Sequence, residues 1–228
     1  MPSYLILKLQ GAMQAWGSHT YEDYRPSLIF PTRSAVVGLL GACLGLERER
    51  LQALKALNDS FEFGLIVLAH PRLVEQRHFT KEKNLKPRTV TLHKMTDYHT
   101  VLDARRADGG QRNDAIVSRR EYLCDAEFTL ALSFKDQAEY SLDAVVQAVK
   151  KPYYTPYLGR RSCPLQRPLF DSIVNADTAE RALRQIQPEG TLYSEIQLPQ
   201  SHSMPVRDLP LFGDKRCFVT RTVYVLGN

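Results

Sequence analysis

The chain has 228 residues, of which 43% are hydrophobic and 24% charged, and a formal net charge of +5. That balance is ordinary for a folded protein with one large domain, or a domain with a small appendage. Cys43, Cys124, Cys163 and Cys217 form no CxxC pair and have no histidine at ligand spacing, which argues against a disulfide framework or a zinc site.

Ser3 to Leu9 alternates as a strand with Leu5, Leu7 and Leu9 on one face, and GAMQAWG then breaks the pattern around Trp16. Thr32 to Leu46 reads as a helix capped by Thr32 or Ser34, with an apolar stripe of Val36, Leu39, Leu40, Cys43 and Leu44. Gly38, Gly41 and Gly45 lie along one side, where another backbone could come close, and Gly45 can end the helix. A short helix is expected from Arg48 to Leu57, and a strand from Phe61 to Leu68 closed by His70-Pro71.

A segment of weak periodicity follows. Between Arg77 and Arg120 eleven basic residues face five acids, so this stretch carries +6 and the rest is close to neutral. A structureless loop of that length is improbable in a compact domain, so a protruding basic hairpin with a disordered tip near Gly109-Gly110 is expected. Such a charge concentration suits a polyanion, because each neutralised phosphate releases counterions; the alternative is a solvated loop that binds nothing specific.

Glu127 to Phe134 alternates as a strand and Ser141 to Val149 is an amphipathic helix. From Pro152 a proline-rich loop leads to a helix near Thr178 to Ile186 and strands near Thr191 to Leu198 and Cys217 to Leu226. The order fits an α+β fold with a ferredoxin-like βαββαβ core over 1–152, interrupted by the basic insertion at about 72–121. Residues 153–228 are then a loop and a small C-terminal β-rich part. Tyr4 to Leu9 is too short for a signal sequence, and the longest apolar run, Ala35 to Leu46, is too short and glycine-rich to span a bilayer, so a cytoplasmic protein with no membrane partner is expected.

The densest chemistry lies in Thr155 to Leu165. Tyr154 and Tyr157 offer stacking faces, Arg160 and Arg161 can fork onto phosphate or lie on a base, and Gly159 lets the backbone approach a ligand. The plainer reading is a surface loop with its tyrosines on the core and solvated arginines. A second anion site is Pro31-Thr32-Arg33-Ser34, where helix N–H groups, a hydroxyl and a guanidinium converge; it could equally be a simple cap. Gln14 could read a base edge and Trp16 could stack, although a lone tryptophan is more often core. Arg105 and Arg106 lie in the basic segment, and Arg119-Arg120 join it to the returning strand.

No carboxylate cluster for two-metal chemistry, no GxxxxGK loop and no nucleophile elbow is present, and no metal or cofactor is expected. His93-Lys94 and Tyr98-His99 are the only local groupings able to supply metal-free ribonuclease chemistry.

SYLILKLQGAMQAWG from Ser3, FPTRSAVVGLLGACLG from Phe30, DYHTVL from Asp97, REYLCDAEFTLAL from Arg120 and YTPYLGRRSCPLQRPLF from Tyr154 together resemble the CRISPR-associated family-five proteins of subtype I-E. The likeness weakens between Arg72 and Met95 and after Ile186. It implies a RAMP-type subunit of the Cascade complex with a thumb-like hairpin, gripping the 5′ repeat-derived handle of CRISPR RNA. Such a subunit caps the family-seven backbone subunits beside the large subunit and meets target DNA only indirectly. The family's RNA contacts would fall on Arg120, Tyr157, Arg160, Arg161 and the Arg33-Ser34 helix start. The motifs are similar to the branch that does not cut its RNA; an endoribonuclease using His93 or His99 is the alternative.

Overall fold

A strand that is apolar at nearly every position must be covered on both sides, and Ser3–Gln10 is such a strand: its six central residues are all buried. It sets the architecture. In the computed structural model, which describes residues 1–18, 20, 23–68, 92–104, 108–110, 114–213 and 217–227, the elements in chain order begin with β1 (Ser3–Gln10), β2 (Met13–Gln14), β3 (Trp16–Gly17), β4 (Tyr24–Arg25) and β5 (Ser27–Leu28). Helices α1 (Arg33–Leu44) and α2 (Leu51–Ser60) precede β6 (Phe61–Val67), β7 (His93–Val101), β8 (Ile116–Cys124) and β9 (Glu127–Phe134). Then come α3 (Leu142–Lys150), β10 (Phe170–Asn175), α4 (Ala179–Ile186), β11 (Thr191–Ser194), β12 (His202–Leu211) and β13 (Cys217–Leu226).

The fold is mixed α/β with antiparallel sheets. A seven-stranded sheet runs in the order β10-β1-β9-β6-β11-β13-β12, and every adjacent pair is antiparallel. One face carries Leu5, Leu7 and Leu9 with Phe128, Leu130 and Leu132 into a core shared with Val36, Leu40, Val145 and Val149 of α1 and α3. The opposite face buries Tyr4, Ile6, Ile66 and Ala131 against Ala182 and Leu183 of α4. The two hydrophobic rows thus remove both faces of the central strands β1, β9 and β6 from water, the dominant favourable contribution to folding.

Local signals account for the helices. Thr32 caps α1 by accepting the Ala35 N–H at 3.2 Å, Ser141 caps α3 through Ala144, and Thr178 caps α4 through Arg181. Gly45 ends α1 in the left-handed region at φ 74°, and a Cβ there would meet Tyr153 Cγ at 2.9 Å. The glycine stripe does not admit a neighbouring backbone: a Cβ on Gly38 would meet nothing within 4 Å, and Gly41 faces the Leu54 side chain of α2.

The region after residue 152 is not a separate sheet. It supplies β10 at one edge and β11, β13 and β12 at the other, so the boundary expected at 152 runs through a single sheet. Strand β12 was not foreseen, because Pro205 and Pro210 break its pattern; it is an edge strand, where proline is tolerated. Outside the large sheet, β7 and β8 form an antiparallel hairpin from His93↔Cys124 to Val101↔Ile116, with β2 and β4 also paired to β8. Most of the basic stretch before β7, and Arg105 and Arg106, lie outside the described residues. Among the described residues, no helix is long and apolar enough to cross a membrane.

Candidate nucleic-acid interface

Loop 157–164 is locked by its own backbone onto the segment that follows β1. Ala15 N–H donates to Leu158 O at 3.1 Å, Leu158 N–H to Cys163 O at 2.8 Å and Cys163 N–H to Arg160 O at 2.8 Å. Tyr157 bridges to Pro164. Gly159 is required: its φ is 85° and a Cβ would lie 1.8 Å from Ala15 O. Gly11 makes the matching close approach, where a Cβ would lie 2.7 Å from Leu158 Cδ1. The glycine therefore serves packing of backbone on backbone, not the approach of a ligand.

That docking aims Arg160 at β8. Its Nη1 donates to Glu121 O at 2.9 Å, its Nη2 to Arg25 O at 3.1 Å, and the guanidinium carbon sits 4.6 Å from the centre of the Tyr122 ring. The guanidinium thus clamps β4 to β8 while its flat face covers an aromatic ring. Along the same strand, Arg120 Nε donates to Ser118 Oγ at 3.1 Å and has no carboxylate partner among the described residues. Arg119 is exposed and forks onto Asp23 at 3.1 and 3.2 Å. Hydrogen bonding by Arg119 holds the Asp23 carboxyl below its ordinary range, and Asp23 in turn raises the arginine. Tyr98, 68% exposed, stands opposite Arg119 in the hairpin register.

Glu121 organises the back of this surface. Its carboxylate accepts from Tyr24 Oη, from Ser27 N–H at 2.9 Å and from Lys94 Nζ at 3.0 Å. Burial pushes Glu121 up, but the bonds from Tyr24, Ser27 and Lys94 outweigh it and hold the group below the usual carboxylate range. Glu121 therefore ties β4, β5 and β7 to β8, while Arg119 of the same strand pairs with Asp23.

Arg120 and Arg160 are thus brought together on the Tyr122 face of β8, with Tyr157 and the exposed Arg161 on the same loop as Arg160, whereas Arg119 shares the opposite face of the strand with Tyr98 and Glu121. Arg25 joins them, since it pairs with Arg120 in the parallel β4–β8 ladder. Sequence reading passed over it, although the Tyr-Arg-Pro run at 24–26 is a signature of a short edge strand. Tyr154 is anchored elsewhere: Tyr153 and Tyr154 N–H groups donate to the last carbonyls of α1, Cys43 O and Ala42 O, each at 3.0 Å. Its ring is 43% exposed and packs edge-on against Tyr153.

Three expectations are corrected. Gln14 is fully buried, its amide donating to Leu9 O at 3.2 Å and Ala126 O at 2.6 Å, so it cannot read a base. Trp16 is core, edge-on to Phe128 with centroids 6.2 Å apart. Arg33 is an internal ion: Nε donates to Asn58 Oδ1, Nη1 to both oxygens of Glu195 at 2.6 Å, and Nη2 to Asn58 O and Phe61 O. All five donors are used. The helix start beside it is occupied as well, because Asp208 of β12 accepts the Arg33 N–H at 2.7 Å while Arg221 forks onto that carboxylate. Ser34 Oγ lies 3.2 Å from Thr32 Oγ1 at this filled position. The acids that fill it lie more than 160 residues downstream, which no local pattern could reveal.

Among the described residues no group of three or more His, Cys, Asp or Glu could hold a metal ion. A family model described as CRISPR-associated protein (Cas_Cas5) matches residues 4–224. The chain is 43% identical to the CRISPR system Cascade subunit CasD of Escherichia coli (strain K12), covering 99% of this chain and 96% of that one. A chain in a solved CRISPR RNA-guided surveillance complex superposes with a TM-score of 0.70 at 24% identity, over 98% of this chain and 89% of the other. A crystal structure of a Cas protein gives 0.61 at 26% identity, over 99% and 94%.

Proposed function

Because the chain belongs to the Cas5 family of CRISPR-associated proteins, we propose that it is a non-catalytic RNA-binding subunit of a type I-E Cascade surveillance complex in antiviral defence. It holds the 5′ repeat-derived handle of the CRISPR RNA and caps the family-seven backbone subunits next to the large subunit. The observation that carries this reading is the cationic face built where loop 157–164 docks on β8: Arg160 is fixed in place over Tyr122, Arg120 lies on the same face with one serine partner and the exposed Arg161 stands on the loop itself, while Arg119 and the exposed Tyr98 present the other side of the strand. Arginine forks and tyrosine faces at that density suit a single-stranded backbone with unstacked bases. Tyr157 and the remaining basic residues, Arg105 and Arg106 included, extend the same reading.

The four-strand order β10-β1-β9-β6, with α1 and α2 between β1 and β6 and α3 between β9 and β10, supports a ferredoxin-like βαββαβ core. The β7–β8 hairpin is then the thumb.

Two variants test the site. Arg120→Ala and Tyr157→Ala each weaken binding of labelled handle RNA, and Arg120→Ala also lowers the salt dependence by about one counterion. Unchanged handle affinity in both sinks the assignment.

One observation favours a second reading as an endoribonuclease: His99 Nε2 lies 2.8 Å from Asp97 Oδ2 and 3.3 Å from Tyr122 Oη, a grouping able to shuttle a proton. Repeat RNA left intact in chelator by the purified chain removes it.

A further inference from the structure

The two edges of the seven-stranded sheet are treated differently. At one edge, β12 carries Pro205 and Pro210, a register shift between Arg207 and Leu209, and the inward acid Asp208. Those are the devices by which proteins keep an edge from pairing with another chain. At the other edge, β10 has a register shift of its own at Asp171, but no proline and no lysine within Phe170–Asn175; its Ser172–Asn175 half keeps unbroken register with β1, with which alone it pairs among the described residues. The Ala176 N–H donates to Pro2 O, and Val174 and Ser172 lie opposite Tyr4 and Ile6 in the same register. By the alternation of an antiparallel ladder, the N–H and C=O groups of Ile173 and Asn175 therefore point away from β1. The Ile173 side chain is 46% exposed beside them.

A groove of about 290 Å³ opens at the start of this edge, lined by Val149, Pro152, Pro156, Leu165, Pro168 and Phe170. Ile173 lies opposite Leu5 and Phe170 opposite Leu7, so both stand on the sheet face that carries the groove. The rim is positive: Lys150 Nζ sits 4.3 Å over the Phe170 ring with no carboxylate partner among the described residues, whereas Arg167 is neutralised by Asp171 at 2.8 Å.

We propose that the β10 edge and this groove form a docking site for an extended segment of a partner polypeptide, which adds a strand to the sheet at Ile173–Asn175 and seats an apolar side chain, flanked by an acid, in the groove. The edge selects the class of partner. Outward N–H and C=O groups alternating at strand spacing match another peptide backbone, whereas the phosphates of a nucleic acid supply acceptors alone, and the groove beside them gives side-chain selectivity. Pro156 and Leu165 flank the RNA-facing loop, so the occupant also braces the stems of that loop. The inference is separable from the handle reading, because binding of labelled handle RNA by the free chain tests that reading and pairing at the β10 edge tests this one.

The test uses the complex purified from cells with its natural subunits. A photo-crosslinking amino acid at Ile173 forms its adduct with a polypeptide, and the Ile173 and Asn175 amides exchange more slowly in the complex than in the free chain. Ile173→Lys, which places a charge on the edge, lowers retention of the crosslinked subunit about tenfold, the worth of one or two backbone hydrogen bonds. Leu211→Lys on the opposite edge does not. Crosslinks to RNA alone or to nothing, unprotected amides, or equal retention in the two variants overturn the proposal; a loss of handle binding by the free wild-type chain counts against the RNA reading instead.

Discussion

Two arginine clusters stand in this molecule, and they spend their guanidinium donors in opposite ways. In the inner node, Arg33 and Arg221 meet Glu195 and Asp208, joining the start of α1 to β12, β13 and the end of β11. Every donor of Arg33 ends on an acceptor of this chain, and Glu195 also takes the Phe63 N–H at 3.0 Å. In the outer cluster, on the two sides of β8 and the loop docked on it, Arg120 has one serine, Arg119 one exposed acid, and Arg161 no hydrogen bond among the described residues. The comparison teaches that an arginine beside a helix start and one on a strand look alike in sequence, and that the count of internal acceptors separates a structural ion from a ligand contact.

The largest effect should come from breaking the inner node. Glu195→Ala leaves the buried Arg33 guanidinium without its counterion, while Arg221 keeps Asp208, and should cost about 3–5 kcal/mol, read from urea unfolding, with handle affinity falling only in step with the folded fraction. Gly159→Ala attacks the join between the two regions. The backbone clash with Ala15 and the left-handed φ should destabilise the chain by at least about 2 kcal/mol and release Arg160 from Tyr122, so affinity falls beyond what unfolding explains.

Arg161→Ala on the outer face should leave the thermal midpoint within about a degree, since exposed charges contribute little, and weaken handle binding by roughly 1 kcal/mol. A smaller effect follows from Glu121. Its folded pKa lies below the unfolded one, so its stabilising contribution is present above the ordinary glutamate range and is lost as pH falls through the lower folded value. Glu121→Gln should flatten that acid limb in a pH series of melting curves. Smallest is a chemical contrast: burial pushes the Cys43 thiol to about 11, so at neutral pH a maleimide should label exposed Cys217 and leave Cys43 untouched until the chain unfolds.

Much of the fold could be read from local pattern. The strand expected over Glu127 to Phe134 has those bounds, and the helix expected over Thr32 to Leu46 spans Arg33–Leu44 with Thr32 as its cap. What escaped was long-range. Strand β10 is largely half-exposed and carries no clean alternation, and β7 is exposed along nearly its whole length, so neither has a periodicity to announce it. At the proposed site, Arg119, Arg120, Arg160 and Arg161 stand out in the sequence as charge next to tyrosine and glycine, and the structure leaves Arg119 and Arg161 exposed. Gln14, Trp16 and Arg33 were misread because their partners, Ala126, Phe128 and Glu195, come from strands or strand ends more than 100 residues away.

The strand order also constrains the history of the chain. β1 pairs with β9 and β10, which follow it by more than 110 residues, and β6 gains its outer neighbour only through β11, which in turn pairs with β13 ending at Leu226. Contacts of such sequence separation are slow to close, because the entropy of a long loop is lost before the pairing rewards it. The central sheet therefore cannot close while the ribosome still holds the last third of the chain, and until then β1 needs shelter for an apolar strand with both faces bare.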